Sequence, residues 1–300
     1  MTVSTPVLCA SNLVKSFGKA QALNGFELDI NPGEVTAILG SNGAGKTTFI
    51  RCALGLTQPS KGALTVFGKK PGKLSVRQRI GAMLQASDLP ELLTAREHIE
   101  LFSSYYPRPL PSDELLSLCQ LEAFADKQYK TLSGGQKRRV QFALAIVGQP
   151  ELIFLDEPTT GLDTQARRTL WDTVRSLSQS GASIVLTTHY LEEADALADR
   201  IIILHEGRVV ADGKPDEIRG VAGGAIIRFV SEYPFDALAK LPGVRRARKS
   251  GRYIELITRS APQTLKALFE VDPNPADLTV SKPDLDDAMR ELIDATQEKD

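Results

Sequence analysis

Cysteine is scarce. Cys9, Cys52 and Cys119 are scattered, at neither metal-ligand spacing nor the close pattern of a disulfide framework. That excludes a zinc module and a disulfide-stapled scaffold, and fits a reducing compartment. A surplus of one charge is also lacking. Against 37 Asp and Glu stand 36 Lys and Arg, a formal net charge of −1, so there is no overall basic pull toward nucleic acid. No apolar run approaches the ~18 residues of a membrane span. The first residues lack a positive start followed by an apolar stretch, so no signal peptide is expected. Repeats and low-complexity tracts are missing as well. The 300 residues suffice for one large domain and a small one.

What is present is concentrated in three segments. Residues 35–39 (VTAIL) read as a short buried strand, followed by Gly40-Ser41-Asn42-Gly43-Ala44-Gly45-Lys46-Thr47-Thr48 and a helix beginning near Lys46. Gly40, Gly43 and Gly45 let the backbone turn its N–H groups onto phosphate oxygens, and the helix N-terminus adds about half a unit of positive charge. Lys46 is placed as a point charge for the β- and γ-phosphates, and the Thr47 hydroxyl for Mg²⁺.

The second segment is the apolar run 152–155 ending in Asp156 and Glu157. Asp156 is expected to hold Mg²⁺, directly or through water. Glu157, next along the strand, is expected on the opposite face, toward an attacking water, as general base. Pro158 and the following Thr-Thr-Gly break the strand. The third segment is Leu132-Ser133-Gly134-Gly135-Gln136. Ser133 is placed to N-cap a helix, and the glycines leave backbone N–H groups open to an anion. A second phosphate site beside a complete phosphate loop suggests that two chains share each nucleotide.

In this order the three segments make the chain, over roughly residues 7 to 220, resemble the ATP-binding subunit of ATP-binding cassette (ABC) transporters. The resemblance implies a P-loop NTPase fold: a RecA-like α/β core, an antiparallel β subdomain, and a helical subdomain that carries the signature segment. It implies that Ser133, Gly134, Gly135 and Gln136 act in trans on ATP held by a partner copy. Phe17 resembles the aromatic that stacks on adenine, with Phe where the family more often has Tyr. Gln85 resembles the glutamine that touches Mg²⁺ and the attacking water and senses the membrane partner. Asp163, in Gly161-Leu162-Asp163, resembles the loop that crosses the dimer interface. His189 resembles the histidine that contacts the γ-phosphate. His98 and His205 read as structural. The implied catalytic set is Glu157, His189, Lys46 and Gln85, the metal set Thr47, Gln85 and Asp156, and the cofactors ATP and Mg²⁺.

The implied partners are an integral membrane permease on a separate chain and a second copy of this chain, arranged head to tail, with no nucleic acid. The implied location is peripheral, on the cytoplasmic face of the cell membrane. Residues 86 to about 97, just after Gln85, are the expected contact for the permease. The competing reading is a soluble, non-transport ABC ATPase of translation, repair or regulation. A single cassette, the absence of a long heptad insertion between Lys46 and Gln136, and the missing basic charge argue against it.

Along the chain, residues 1–220 read as the ATP-binding domain, with a helix-rich subdomain at about 88–148 interrupted at Pro107, Pro109 and Pro111. Residues 220–224 (GVAGG) read as a linker. Residues 225–300 read as an accessory α+β domain in βαββαβ order, ferredoxin-like, with a last amphipathic helix. Its general shape resembles the extension of the exporter branch. Arg245, Arg246, Arg248, Lys249 and Arg252 cluster on the expected hairpin. Two readings fit them: a solvated face, or contact with anionic lipid headgroups or an acidic partner.

Overall fold

The computed structural model describes residues 5–85, 89–222 and 224–297. The chain divides into two compact units, Met1–Gly213 and Lys214–Asp300.

In the first unit, β1 (Leu8–Phe17), β2 (Ala20–Ile30) and β4 (Lys61–Val66) form an antiparallel sheet in the order β2-β1-β4. The second sheet takes β3 (Val35–Leu39), β5 (Ile80–Met83), β6 (Leu152–Asp156), β7 (Ser183–Thr188), β8 (Arg200–His205) and β9 (Arg208–Gly213) in the order β5-β6-β7-β3-β8-β9. Every residue of β3, β6 and β7 is buried, the pattern of strands covered on both faces. All pairs in this sheet are parallel except the β8–β9 hairpin at its edge. Parallel pairing has the decisive consequence for function. The carboxyl ends of β3, β5, β6 and β7, four adjacent strands, emerge on one edge of the sheet, where open α/β sheets bind ligands.

The helices of this unit are α1 (Lys46–Ala53), α2 (Leu74–Arg77), α3 (Ala95–Ser103), α4 (Ser112–Leu118), α5 (Gly134–Ile146), α6 (Thr164–Gln179) and α7 (Leu191–Leu197). Pro107, Pro109 and Pro111 fall between α3 and α4, where proline cannot continue a helix. One core joins the two sheets: Phe26 of β2 stacks on Phe49 of α1 at 4.6 Å between ring centroids, and both are fully buried.

The second unit begins with α8 (Pro215–Ala222) and continues through β10 (Ala225–Val230), α9 (Phe235–Leu238), β11 (Val244–Ser250), β12 (Tyr253–Thr258), α10 (Ala261–Val271), β13 (Ala276–Ser281) and α11 (Leu285–Gln297). The sheet order β11-β12-β10-β13, antiparallel throughout, is that of a ferredoxin-like fold. Ile227, Phe229, Ile254 and Leu256 meet Leu238, Leu241 and Leu268 in its core.

The glycine-rich stretch expected as a linker is not one. Gly220, Val221 and Ala222 continue α8, and Gly223 lies outside the described residues. The reason is tertiary. Helix α8 packs on α11 and buries Ile218, which offsets the low helix propensity of glycine. The basic hairpin is largely neutralised within its own unit. Arg245 pairs with Glu291, Arg248 with Glu255 and with Asp287 at 3.0 Å, and Arg252 with Asp277 at 2.8 Å. That pairing leaves little surplus charge for a lipid surface and favours the solvated face.

Candidate functional site

Gly45 N-caps α1 in the left-handed region at φ 111°, so the loop after β3 turns sharply into the helix. A Cβ on Gly40 would fall 2.3 Å from the Leu204 carbonyl, which presses the loop's first residue against β8. The β8–β9 turn brackets the loop from outside: Gly207 N–H donates to the Ala44 carbonyl at 3.0 Å, and Asn24 N–H to the Gly207 carbonyl at 2.9 Å. Lys46 curls back over this loop. Its Nζ donates to the carbonyls of Gly40 at 2.6 Å and Ser41 at 3.1 Å. Burial pulls its pKa below the usual lysine value, opposed by the Glu157 and Asp156 carboxylates. Gly40→Ala should therefore displace the loop from β8 and weaken nucleotide affinity by about ten-fold or more. Fluorescent-nucleotide titration measures this, with circular dichroism to confirm the fold.

The acidic strand end faces the loop. Asp156, 1% exposed, accepts from the Thr47 hydroxyl at 3.0 Å and from the Thr187 hydroxyl at 2.5 Å. Strand β6 stops at Asp156, so Glu157 does not owe its direction to strand alternation, as the sequence suggested. It sits beyond the strand in the left-handed region at φ 49°, its N–H donating to the Thr187 carbonyl at 2.9 Å. A non-glycine residue in that region carries strain of order 1–3 kcal/mol and is a feature of functional sites. The turn aims the carboxylate at two neighbours. Oε2 accepts from Gln85 Nε2 at 3.1 Å, and Oε1 lies 3.3 Å from His189 Nδ1. The His189 ring also stacks on Tyr190 at 4.1 Å. Loop residues 42–48, Gln85, Glu157 and His189 together line one cavity of about 300 Å³.

Other expected residues lie elsewhere. Phe17, at the end of β1, is 54% exposed, with Lys15 Nζ 4.8 Å from its ring centre. Ser133 N-caps α5 in a capping box: its Oγ accepts from Gln136 N–H at 3.2 Å while Gln136 Oε1 accepts from Ser133 N–H at 2.9 Å. Ser133 and Gly134 are exposed and do not line the 300 Å³ cavity. Asp163 N-caps α6, accepting from Ala166 N–H at 2.8 Å. Gly134 lines a second cavity, of about 460 Å³, with Gln85, Leu89, Tyr129 and Lys137. Of the segment expected to meet a membrane partner, residues 86–88 lie outside the described residues.

Sequence reasoning missed Arg138. It stands between Lys137 and Arg139 in a basic stretch, yet it is only 8% exposed. Its guanidinium donates to the Leu84 carbonyl and to the Asp156 carbonyl, each at 3.0 Å, and to the Glu157 carbonyl at 2.5 Å. One side chain thus ties the signature helix to the strand ends that carry Gln85 and Glu157. The enabling residue is Gly81 of β5, where a Cβ would fall 1.9 Å from the Ala145 carbonyl of α5; only glycine lets this helix seat so close. Arg138→Ala leaves these carbonyls without their donor and should lower turnover roughly ten-fold, more than it raises KM. Steady-state kinetics separates the two constants.

A family model described as ABC transporter matches residues 23–160. A Nod factor export ATP-binding protein I from Rhizobium johnstonii is 35% identical over 307 residues, covering 99% of this chain and 98% of the relative. The daunorubicin resistance ATP-binding protein DrrA3 from Streptomyces coeruleorubidus is 42% identical, over 72% of this chain and 71% of its own. Among solved structures, an ATP-binding subunit of an ABC transporter aligns at TM-score 0.65 and 32% identity, covering 71% of this chain and 92% of that one. A dimeric ATP-binding cassette in a post-hydrolysis state with ADP and Pi aligns at TM-score 0.64 and 29% identity, covering 69% and 98%.

Proposed function

This chain belongs to the ABC transporter ATP-binding family, and from that membership we propose how its residues bind ATP, hydrolyse it and hand the energy to a membrane partner. It is an ATPase, the energy-coupling subunit of an exporter-type transporter. The observation that carries the detailed reading is the convergence of Lys46, Gln85, Glu157 and His189 on one cavity, with the Ser133-Gly134 turn exposed outside it.

Residues 40–48 cradle the ATP phosphates, with Lys46 swinging from its own loop carbonyls onto the β- and γ-phosphates. The oxygen donors Thr47, Asp156 and Gln85 fit Mg²⁺, a hard cation that keeps several waters and needs no dedicated protein cage. When bound, Mg²⁺ offsets negative charge on the phosphates. Phe17 offers its exposed ring to adenine. Glu157 takes the proton of the attacking water while Gln85 and His189 fix its carboxylate, and His189 steadies the γ-phosphate.

Two copies close head to tail, so that Ser133, Gly134, Gly135 and Gln136 of each cap the γ-phosphate held by the other, and Asp163 crosses between them. Closure excludes water, and hydrolysis removes the group that holds the copies together. The transporter's membrane-spanning part is a separate permease, and the chain works peripherally at the cytoplasmic face of the membrane. Among the described residues no helix is long and apolar enough to cross a membrane.

The test is affinity purification of the tagged full-length Glu157→Gln chain from detergent-solubilised membranes with MgATP. A polytopic membrane protein at about one-to-one ratio is expected, by mass spectrometry. Recovery of only ribosomal or DNA-associated factors would move the soluble ABC ATPase to first place.

A further inference from the structure

The first unit holds a buried carboxyl that the proposed cycle does not use. Glu193, on the first turn of α7, has no exposed surface. Trp171 of α6 donates its indole N–H to Glu193 Oε1 at 3.3 Å. The hydroxyls of Thr188 and Thr159 face the same carboxyl. Each comes from a different working part. Thr188 is the residue before His189. Thr159 is two residues after Glu157, in the loop that runs to Asp163. Trp171 sits on the helix that Asp163 caps.

The junction is incomplete as it stands. Glu193 Oε2 and Thr159 Oγ1 are both buried, and neither has a hydrogen-bond partner at bonding geometry. A donor and an acceptor left unmade in the interior are costly, so a small shift of the 157–163 loop that joins them is favoured. Burial pushes the carboxyl above the usual range, opposed by the nearby Thr188 and Thr159 hydroxyls, the Trp171 indole N–H and Arg167.

We propose that Glu193 is a positioning residue: it fastens the loop after Glu157 to the loop before His189 and to α6 through Trp171, so that a partner's contact at Asp163 sets the general base and the γ-phosphate histidine together. This rests on the site reading above, and it assigns a route by which dimer closure reaches the chemistry. A fixed junction is the physical requirement, because misplacing reacting groups by about 1 Å costs on the order of 100-fold in rate.

Trp171 is the sequence's single tryptophan, so its emission reports this junction alone. The experiment measures kcat, KM for ATP and the Trp171 emission change on adding MgATP, using the full-length chain. Glu193→Ala is expected to lower kcat roughly 30-fold, to change KM less than about three-fold and to abolish the emission change. Glu193→Gln keeps the shape and an acceptor oxygen, and should restore kcat to within about three-fold of the starting protein. Trp171→Phe removes only the indole donor and should slow turnover about five-fold, which keeps the test open if the alanine variant does not fold.

Unchanged kcat in Glu193→Ala or in Trp171→Phe overturns the proposal, as does a glutamine variant as slow as the alanine one. A lowered melting temperature with normal turnover per folded molecule marks a merely structural role and also overturns it. Failure here is distinct from failure of the site reading. In Glu157→Gln turnover should stop while the Trp171 response to ATP persists.

Discussion

Glu157→Gln is expected to bind MgATP as the unaltered chain does and to lose turnover by about 100-fold or more, the range of a general base. The geometry makes the substitution unusually clean. Glutamine has the same length and tolerates the left-handed backbone at φ 49° no worse than glutamate does. Its amide oxygen still accepts a hydrogen bond where Gln85 Nε2 now lies at 3.1 Å. Lys46 bonds to the loop carbonyls, and Thr47 to Asp156, without the Glu157 side chain, so the phosphate cradle is untouched. What disappears is the basic lone pair aimed into the cavity. Phosphate release measures turnover and nucleotide titration measures binding. A variant that hydrolyses ATP at the original rate would place the base elsewhere.

Lys46→Ala should fail one step earlier. Lys46 is 6% exposed, and its ammonium donates to the Gly40 and Ser41 carbonyls of the phosphate loop, a short swing from the phosphate position. Burial lowers its pKa, and the Glu157 and Asp156 carboxylates beside it oppose that shift. Removing it leaves Asp156 and Glu157 facing a polyanion without their counter-charge. ATP affinity is expected to fall by about 100-fold, equal to ~2.7 kcal/mol. The fold should survive, because the buried Asp156 carboxylate keeps its bonds from the Thr47 and Thr187 hydroxyls. Isothermal titration distinguishes this loss of binding from the loss of chemistry in Glu157→Gln. An alanine variant with unaltered affinity contradicts the role given to Lys46.

The parts of the site legible in the sequence are those where chemistry forces residue type. The loop 40–48 needs glycine where backbone meets phosphate, and a lysine and a threonine at set offsets; a carboxylate pair closing an apolar run is equally distinctive. What the sequence hid was spatial. Nothing in residues 80–83 says that β5 lies beside β6, which brings Gln85 within 3.1 Å of Glu157. Strand alternation predicts that Glu157 points away from Asp156, but β6 ends at Asp156 and a left-handed turn aims Glu157 instead. Arg138 was masked by the basic residues either side of it, although Gly81, 57 residues earlier, is what lets it reach the strand ends. In the second unit, short strands and the turn at Ser250-Gly251 make the ferredoxin-like order readable. The glycines of 220–224 misled because glycine signals slack only where nothing packs on it, and α11 packs on α8.

The most direct measurement on the central claim, that ATP acts between two copies of this chain, is the mass in solution of the Glu157→Gln protein with and without MgATP. Sedimentation velocity should give the 32.6 kDa monomer without nucleotide and twice that mass with it, and adding Ser133→Arg to the same chain should return the monomer. A monomer that binds ATP fully at the same concentration, or a dimer indifferent to ATP and to Ser133, would contradict it.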